Sequence, residues 1–190
     1  MYKTFEDDIE VNGKTMNSVV NALPSIGFFV KKIFLEVGLP APDEIAPGQF
    51  YPQQQWLDAF KLISEKAGAH TLMSIGEKIP ENAIFPSDIS NIEQALASID
   101  IAYHMNHRKN KQVLFQNGEL IEGIGHYGYF KVPNENKIIM TCNNPYNCDF
   151  DRGIISAMAK EFQPQVKITH EEVNSCRKLG GETCTYFVIW

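Results

Sequence analysis

The sequence predicts an α+β fold, in which a helical layer packs on a roughly four-stranded antiparallel sheet. Residues 1–110 place apolar side chains at helical spacing, whereas residues 111–190 form short β-branched or aromatic runs between turns. One helical segment, at about 151–162, interrupts these strands. Helices that are segregated from an antiparallel sheet are typical of the α+β class. We expect all 190 residues to form one ligand-binding domain.

The helical half is defined by amphipathic stretches and by signals at their ends. The segment "QQQWLDAFKLISEKAG" places Trp56, Phe60 and Ile63 along one stripe, which predicts a helix with one buried face. A first helical segment precedes it and is interrupted or restarted at Pro24. A later helix, in "SDISNIEQALASIDIAYHMNH", is expected to begin at an N-cap on Ser90.

Composition and charge exclude several classes of protein. The net charge of −6 argues against nucleic-acid binding, which needs a concentrated basic face. The basic run "HRKNK" at 107–111 is short, and we expect it to be a solvated turn. No apolar run approaches the roughly 20 residues that span a bilayer, and the first residues lack the layout of a secretory signal. We therefore expect a cytoplasmic protein, in which disulfides are disfavoured.

Three cysteines are spaced in a way that favours a zinc site. Cys176 and Cys184 flank the turn "RKLGGET", which can bring its two ends together where two strands meet. A thiolate from Cys148, before the last helix, would supply a third ligand of a tetrahedral zinc ion. The fourth ligand could come from the segment "THEEV", which contains His170, Glu171 and Glu172.

The alternative interpretation of these cysteines is structural. Free cysteine is among the most buried residue types, so alternating strand positions would bury one or two of these thiols without any metal. The spacing between Cys176 and Cys184 is also not that of a standard zinc knuckle. Cys142, at the end of the strand "IIMTCNN", is expected to be a spare thiol.

The ending "EEVNSCRKLGGETCTYFVIW" resembles the C-terminal signature of the 4-vinyl reductase domain. In that signature a Glu precedes a Cys, a Gly-containing turn follows, and a second Cys opens a final apolar strand. The fold group also includes haem-based nitric-oxide sensors and a vesicle-tethering (TRAPP) subunit. The resemblance implies helices packed on a four-stranded antiparallel sheet, and a structural zinc bound by three Cys and one Glu.

Carried over by position, the resemblance assigns the zinc ligands to Cys148, Cys176, Cys184 and Glu171. This sequence departs from the family pattern at the Glu, because Glu171 stands five positions before Cys176. His170 therefore competes for the fourth position, since imidazole suits zinc equally well.

A ligand pocket is expected where the helical layer meets the sheet. Tyr103 and His107 are four residues apart on one predicted helical face, and His104 is turned away by about 100°. The strand "GIGHYGYFKV" places His126 on one side and Tyr127 on the other, and its glycines leave room for a ligand. These five residues are the candidate ligand contacts, around a mostly apolar cavity.

The leading hypothesis is a non-catalytic sensor domain that binds a small apolar or aromatic molecule and contains a structural zinc. It would signal to a partner protein or across a homodimer. Residues 26–35 are a candidate surface for this contact, and an internal core helix is the alternative interpretation of the same stretch. The alternative is a haem-binding gas or redox sensor that uses His104, His107 or His126. An enzyme acting on a tetrapyrrole-like substrate is a third hypothesis. No nucleophile elbow, phosphate loop or Rossmann fingerprint is present in the sequence, which favours binding over catalysis.

Overall fold

The residues that the structure describes include seven α-helices. The computed structural model describes residues 1–23, 27–172 and 175–190, so the predicted break at Pro24 lies outside the described residues. The helices are α1 (Gly13–Ala22), α2 (Gly27–Glu36), α3 (Gln53–Ala67), α4 (Ala69–Glu77), α5 (Ile79–Asn82), α6 (Ile92–Met105) and α7 (Cys148–Phe162).

In the described part of the chain, the larger of two four-stranded sheets is formed by the C-terminal half. Its strands are β7 (Tyr127–Lys131), β8 (Lys137–Cys142), β9 (Lys167–Glu171) and β10 (Cys184–Ile189), in the order β7-β8-β10-β9. Every pair in this sheet is antiparallel. The predicted α+β class, with one helix between the strands of the sheet, is confirmed.

A second, smaller sheet was not predicted. It consists of β1 (Ile9–Asn12), β2 (Phe50–Pro52), β3 (His107–Lys109) and β4 (Gln112–Val113), in the order β2-β1-β3-β4. A separate hairpin pairs β5 (Phe115–Gln116) with β6 (Glu119–Leu120). Strands of two to four residues are too short to show a period of two, so the sequence pattern of residues 1–110 indicated helices alone.

The expectation of a solvated turn at 107–111 was wrong in part. Residues 107–109 form β3, which pairs with β1, and the side chain of Arg108 makes a two-pronged contact with Glu10. The turn is confined to Asn110 and Lys111, which both have positive φ. Pairing between β1 and β3 therefore joins residues 98 positions apart in the chain.

The boundaries of α6 and α7 differ from those predicted from the sequence. The N-cap of α6 is Asn91, whose side chain accepts from the backbone N–H of Gln94, and not Ser90. Helix α6 ends at Met105, so His107 lies in β3 rather than on the helix. Helix α7 begins at Cys148, three residues before the predicted start, with Asn147 as its N-cap.

Helix α7 lies at the centre of the molecule, in contact with α4, α6, β9 and β10. Its approach to α4 depends on two glycines that face each other. A Cβ on Gly76 would lie 2.1 Å from the carbonyl oxygen of Phe150, and a Cβ on Gly153 would lie 2.2 Å from that of Met73. No helix in the described ranges is long and apolar enough to cross a membrane.

We expect replacement of either facing glycine by alanine to destabilise the protein. The Gly153→Ala side chain would meet backbone atoms, which cannot rotate away, so the two helices must separate. Overpacking of this kind costs about 1–3 kcal/mol. Urea unfolding of G153A and G76A measures the loss.

The matched control is Gly27→Ala at the start of α2, where no atom lies within 4 Å of an added Cβ. There the change should be neutral or stabilise by up to about 1 kcal/mol, through helix propensity. Equal free energies of unfolding for G153A and G27A would contradict the close contact.

A candidate metal centre and an internal cavity

Four possible metal ligands converge at one end of the larger sheet. Cys148 opens α7, His170 lies in β9, Cys176 precedes a short 3-10 turn at 177–179, and Cys184 opens β10. One ligand atom from each of the four lies within 4.8 Å of all the others. The three thiols are buried and are not joined as disulfides. Residues far apart in the chain thus meet because two strands and a helix start or end at the same place.

The three distances from the sulfur of Cys176 to the other ligand atoms match tetrahedral zinc coordination. The sulfur of Cys176 lies 3.8 Å from that of Cys148 and 3.7 Å from that of Cys184. It also lies 3.6 Å from Nε2 of His170. Zn–S bonds of about 2.3 Å and Zn–N bonds of about 2.0 Å, at tetrahedral angles, require roughly 3.8 Å and 3.6 Å. The remaining sulfur pair, Cys148 and Cys184, is closer, at 3.1 Å.

The surroundings of Cys184 favour the thiolate, which is the form that binds metals. The thiol of Cys148 donates to its sulfur, and with His170 and Arg177 this lowers the pKa of Cys184 well below its ordinary value. Nε of Arg177 donates to the same sulfur at 3.4 Å. The shared proton correspondingly raises the pKa of Cys148. One negative charge is therefore stabilised in the cluster before any cation binds.

His170, rather than Glu171, faces the cluster. The His170 ring stacks on Tyr186, with centroids 4.7 Å apart and an angle of 19° between the planes. Nδ1 of His170, the ring nitrogen that faces away from Cys176, lies 3.7 Å from the carboxylate of Glu172. Zinc-binding histidines often have a carboxylate near this second nitrogen. Glu171 is exposed and is not part of the group.

Cys142 lies beside the cluster without joining it. It pairs with Cys184 across β8 and β10, so the two side chains share one face of the sheet. Its thiol is fully buried, and burial raises its pKa well above the ordinary value. Cys142 is not among the four residues whose ligand atoms converge.

A buried ion pair lies directly behind the cluster. The guanidinium of Arg177 binds the carboxylate of Asp151 in α7, and both side chains are almost fully enclosed. Arg177 also donates to the side-chain oxygen of Asn144 at 2.7 Å and to the carbonyl of Tyr146 at 3.0 Å. Burial raises the pKa of Asp151, and Arg177 opposes that shift. The carboxylate is the form that accepts from every donor around it.

The same carboxylate reaches the interior of the domain. The hydroxyl of Tyr127 donates to Asp151 at 2.7 Å. The Tyr127 ring packs edge-on against Tyr103, with centroids 5.3 Å apart. A continuous path of contacts thus runs from Cys184 through Arg177 and Asp151 to the two tyrosines.

Those tyrosines line a small apolar cavity of about 40 Å³ between the helices and the sheet. Its walls are largely aromatic and include Trp56, Tyr103, His107, Tyr127, Tyr146 and Phe150. Three of the five candidate ligand contacts, Tyr103, His107 and Tyr127, are among the lining residues. A cavity of about 40 Å³ is large enough for a water molecule or a ligand of a few heavy atoms.

His107 is the cavity histidine, and both of its ring nitrogens are engaged. Nδ1 lies 2.7 Å from the carbonyl of Tyr103, and Nε2 lies 2.9 Å from the hydroxyl of Tyr146. Because a carbonyl only accepts, Nδ1 carries the proton and Nε2 accepts from Tyr146. Burial lowers the pKa of His107 to about 3, so the ring is neutral near pH 7.

The other two candidate histidines do not line the cavity. His104 is fully buried on α6, and His126 is half-buried just before β7, with the two ring centroids 5.2 Å apart. Asp100 lies beside both of them. The structure therefore separates the five candidates into a cavity group and a group at the outer side of α6.

The sequence analysis missed Asp100, Asp151 and Arg177. Each is charged, and charged residues usually face solvent. Only Asp100 carried a signal, because it interrupts the apolar run "SIDIAYHM" between Ile99 and Ile101. Asp151 resembles the acidic residues that helix N-termini favour, and Arg177 lies in a polar turn.

Comparisons with solved structures relate the fold to H-NOX proteins. An H-NOX protein from S. oneidensis in the Fe(II) ligation state matches with a TM-score of 0.64 and 14% identity, over 94% of this chain and 95% of that one. The same organism's H-NOX protein in the Fe(II)NO ligation state matches with a TM-score of 0.63 and 16% identity, over 93% and 97% of the chains.

A third structure comes from work on how protein-induced porphyrin distortion modulates haem redox potential. It matches with a TM-score of 0.62 and 16% identity, over 94% of this chain and 99% of that one. At this identity the likeness establishes the fold. No protein-family model and no curated protein matches the chain. The haem-nitric-oxide-sensor part of the resemblance is thus supported at the level of fold, and the 4-vinyl reductase and TRAPP parts are not.

We expect Asp151→Asn to destabilise the protein by about 3–5 kcal/mol, because it leaves the charge of Arg177 buried without a counter-ion. Urea unfolding monitored by circular dichroism measures the loss. Glu81→Gln is the control, because it removes an exposed ion pair with Lys78 and should cost no more than about 1 kcal/mol. Similar midpoints for the two variants would contradict the structural role of the buried pair.

Proposed function

We propose that this chain is a single, non-catalytic sensor domain of the H-NOX fold that contains a structural zinc ion. The observation that carries the zinc assignment is the spacing of ligand atoms around Cys176, at 3.6–3.8 Å from two sulfurs and one imidazole nitrogen. Cys148, His170, Cys176 and Cys184 would hold the ion. Four protein ligands leave no open position for water, which supports a structural rather than a catalytic role.

The zinc would fix the position of α7 relative to the strands. Cys148 belongs to α7, whereas His170 and Cys184 belong to neighbouring strands of the larger sheet. Because α7 also carries Asp151, Phe150 and Ile154 towards the cavity wall, the zinc would hold one side of the cavity in place. This arrangement suits a domain in which occupancy of an interior site is passed to the surface.

The size of the cavity limits the ligand that it could admit without rearrangement. An apolar cavity of about 150 Å³ accommodates benzene, whereas this one measures about 40 Å³. A molecule of two or three heavy atoms would fit; the predicted aromatic ligand would require α6 to move away from the sheet.

The alternative, a haem-based gas or redox sensor, is supported by the fold of the structural neighbours. That support favours haem over the zinc-containing small-molecule sensor. The interior of this chain does not fit a haem as it stands. His107 has both nitrogens engaged, His104 does not line the cavity, and cofactor sites usually measure about 300–1,000 Å³.

A homodimer or a signalling partner remains a prediction. Helix α2 covers the described part of the candidate surface at 26–35. It buries Val30, Ile33 and Phe34 but exposes Phe28 (86%) and Leu35 (55%). One face of α2 therefore packs in the core, and the other exposes apolar side chains to solvent.

We expect Cys184→Ser to remove the thiolate-bound metal and to lower the melting temperature sharply, because a structural metal contributes directly to folding free energy. Cobalt(II) is the probe, since thiolate ligands give it an intense charge-transfer band in the near ultraviolet. Wild-type protein should show this band with one equivalent bound.

Cys142→Ser is the matched control, because that thiol lies on the same sheet face but outside the cluster. It should retain the full charge-transfer band. Absence of the band in wild-type protein, or its equal loss in both variants, would contradict the proposed site.

The haem alternative is tested by adding haemin to the purified protein. From the cavity size and the hydrogen bonds of His107, we expect no stoichiometric Soret shift. A tight one-to-one complex whose spectrum is lost in His104→Ala or His107→Ala, but retained in His70→Ala, would establish the haem sensor instead. His70 is the control because it is an exposed histidine on α4.

A further inference from the structure

A second group of possible metal ligands lies on the outer side of α6, away from the cysteine cluster. It consists of Asp100 and His104 in α6 and His126 just before β7. One ligand atom from each lies within 4.8 Å of the others. Glu122, four residues before His126, reaches the same place. The group combines two imidazoles with two carboxylates, and the zinc assignment above does not involve it.

The backbone around His126 is held in position. Its N–H donates to the side-chain oxygen of Asn143 at 2.7 Å, and the neighbouring N–H of Tyr127 donates to Asp100 at 2.9 Å. Gly125, which precedes His126, has a φ of +77° and stands against the carbonyl of Asn143. The imidazole is thus presented to the carboxylates by a turn that is already ordered.

The His126 ring lies between two carboxylates. Nδ1 is 3.0 Å from Oδ2 of Asp100, and Nε2 is 2.8 Å from Oε2 of Glu122. The side chain of Asp100 is 16% exposed and that of Glu122 is 79% exposed. Glu122 therefore lies on the solvent side of the His126 ring, opposite Asp100.

The strongest indication that this group binds a metal ion comes from His104. Its Nδ1 lies 2.8 Å from the carbonyl of Asp100, so Nδ1 carries the hydrogen and Nε2 presents a lone pair. Nε2 is buried and has no hydrogen-bond partner among the described residues. An unsatisfied buried polar atom costs about 1–3 kcal/mol. Metal-bound histidines typically use this arrangement, in which the other ring nitrogen donates to a carbonyl.

We propose that Asp100, His104 and His126 form a second metal site for a divalent transition metal such as Zn²⁺, Co²⁺ or Ni²⁺, in which Nδ1 of His126 binds the ion and its Nε2–H donates to Glu122. Two imidazole ligands select these ions over Mg²⁺ and Ca²⁺, which prefer oxygen ligands alone. Binding would displace the proton shared by His126 with the carboxylates. The site is independent of the cysteine cluster and joins α6 to the start of β7.

The competing explanation is that His126 is simply protonated and paired with Asp100 and Glu122. In that case the group is a surface ion-pair network, and it would bind added metal no better than other exposed histidines do. A titration that separates nitrogen and oxygen ligands from thiolates distinguishes the two explanations.

The test is a cobalt(II) titration of the metal-free, full-length protein at neutral pH, followed by absorption and by equilibrium dialysis. We expect two bound equivalents in the wild type, of which only one contributes to the thiolate charge-transfer band. His126→Ala should bind one equivalent and keep that band unchanged. Its affinity for the second equivalent should fall by at least about tenfold.

Two further variants keep the test decisive whatever His126→Ala does to folding. Glu122→Ala changes an exposed side chain and should weaken only the second equivalent. His70→Ala, which removes an exposed histidine outside the group, should leave both equivalents intact. The proposal is overturned if the wild type binds only the thiolate-bound equivalent, or if Glu122→Ala and His70→Ala bind the second equivalent equally. Absence of the charge-transfer band from the wild type would instead contradict the cysteine site.

Discussion

The buried pair of Arg177 and Asp151 is the interaction on which the rest of this end of the molecule depends. Removing two charges from water is costly, and the cost is offset only when every donor and acceptor finds a partner. Here the guanidinium contacts a carboxylate, an amide oxygen, a backbone carbonyl and a sulfur. Because Asp151 belongs to α7 and Arg177 to the turn before β10, these contacts fix the helix against the sheet.

The consequence is that the cysteine cluster and the cavity share one support. Arg177 donates to the sulfur of Cys184, and Asp151 accepts from the hydroxyl of Tyr127 in the cavity wall. A shift of α7 would change the separation of the metal ligands and the packing of the tyrosines together. The H-NOX fold thus contains, in this chain, a stiff polar connection between its interior and the end of its sheet.

The sequence could indicate that Cys148, Cys176 and Cys184 converge. Thiols are typical metal ligands, and a short turn joins Cys176 to Cys184. It could not choose between His170 and Glu171, since adjacent residues of a strand point to opposite faces. The choice depends on the register of β9 with β10, where His170 pairs with Tyr186. That register is a tertiary property that no spacing along the chain reveals.

The first sheet and the buried charges were beyond prediction for related reasons. Strands of two to four residues carry no readable period, and β1 depends on partners in β2 and β3 that lie far along the chain. Arg177 is buried only because α7 brings Asp151 to it, and the sequence shows each as an ordinary polar residue. The helical segments and the four-stranded C-terminal sheet were predictable because their periodicity extends over many residues.

The pairing of β1 with β3 also bears on the order in which the chain can fold during synthesis. Glu10 meets Arg108 only after 98 further residues have been made, and the backbone N–H of Tyr2 is satisfied by the carbonyl of Pro145. On a ribosome β1 can pair with β2 once residue 52 has emerged, but its other edge must wait for β3, which follows α6. Contacts this distant slow folding. The edge of β1 that pairs with β3 is thus among the last parts of this fold to reach its native contacts.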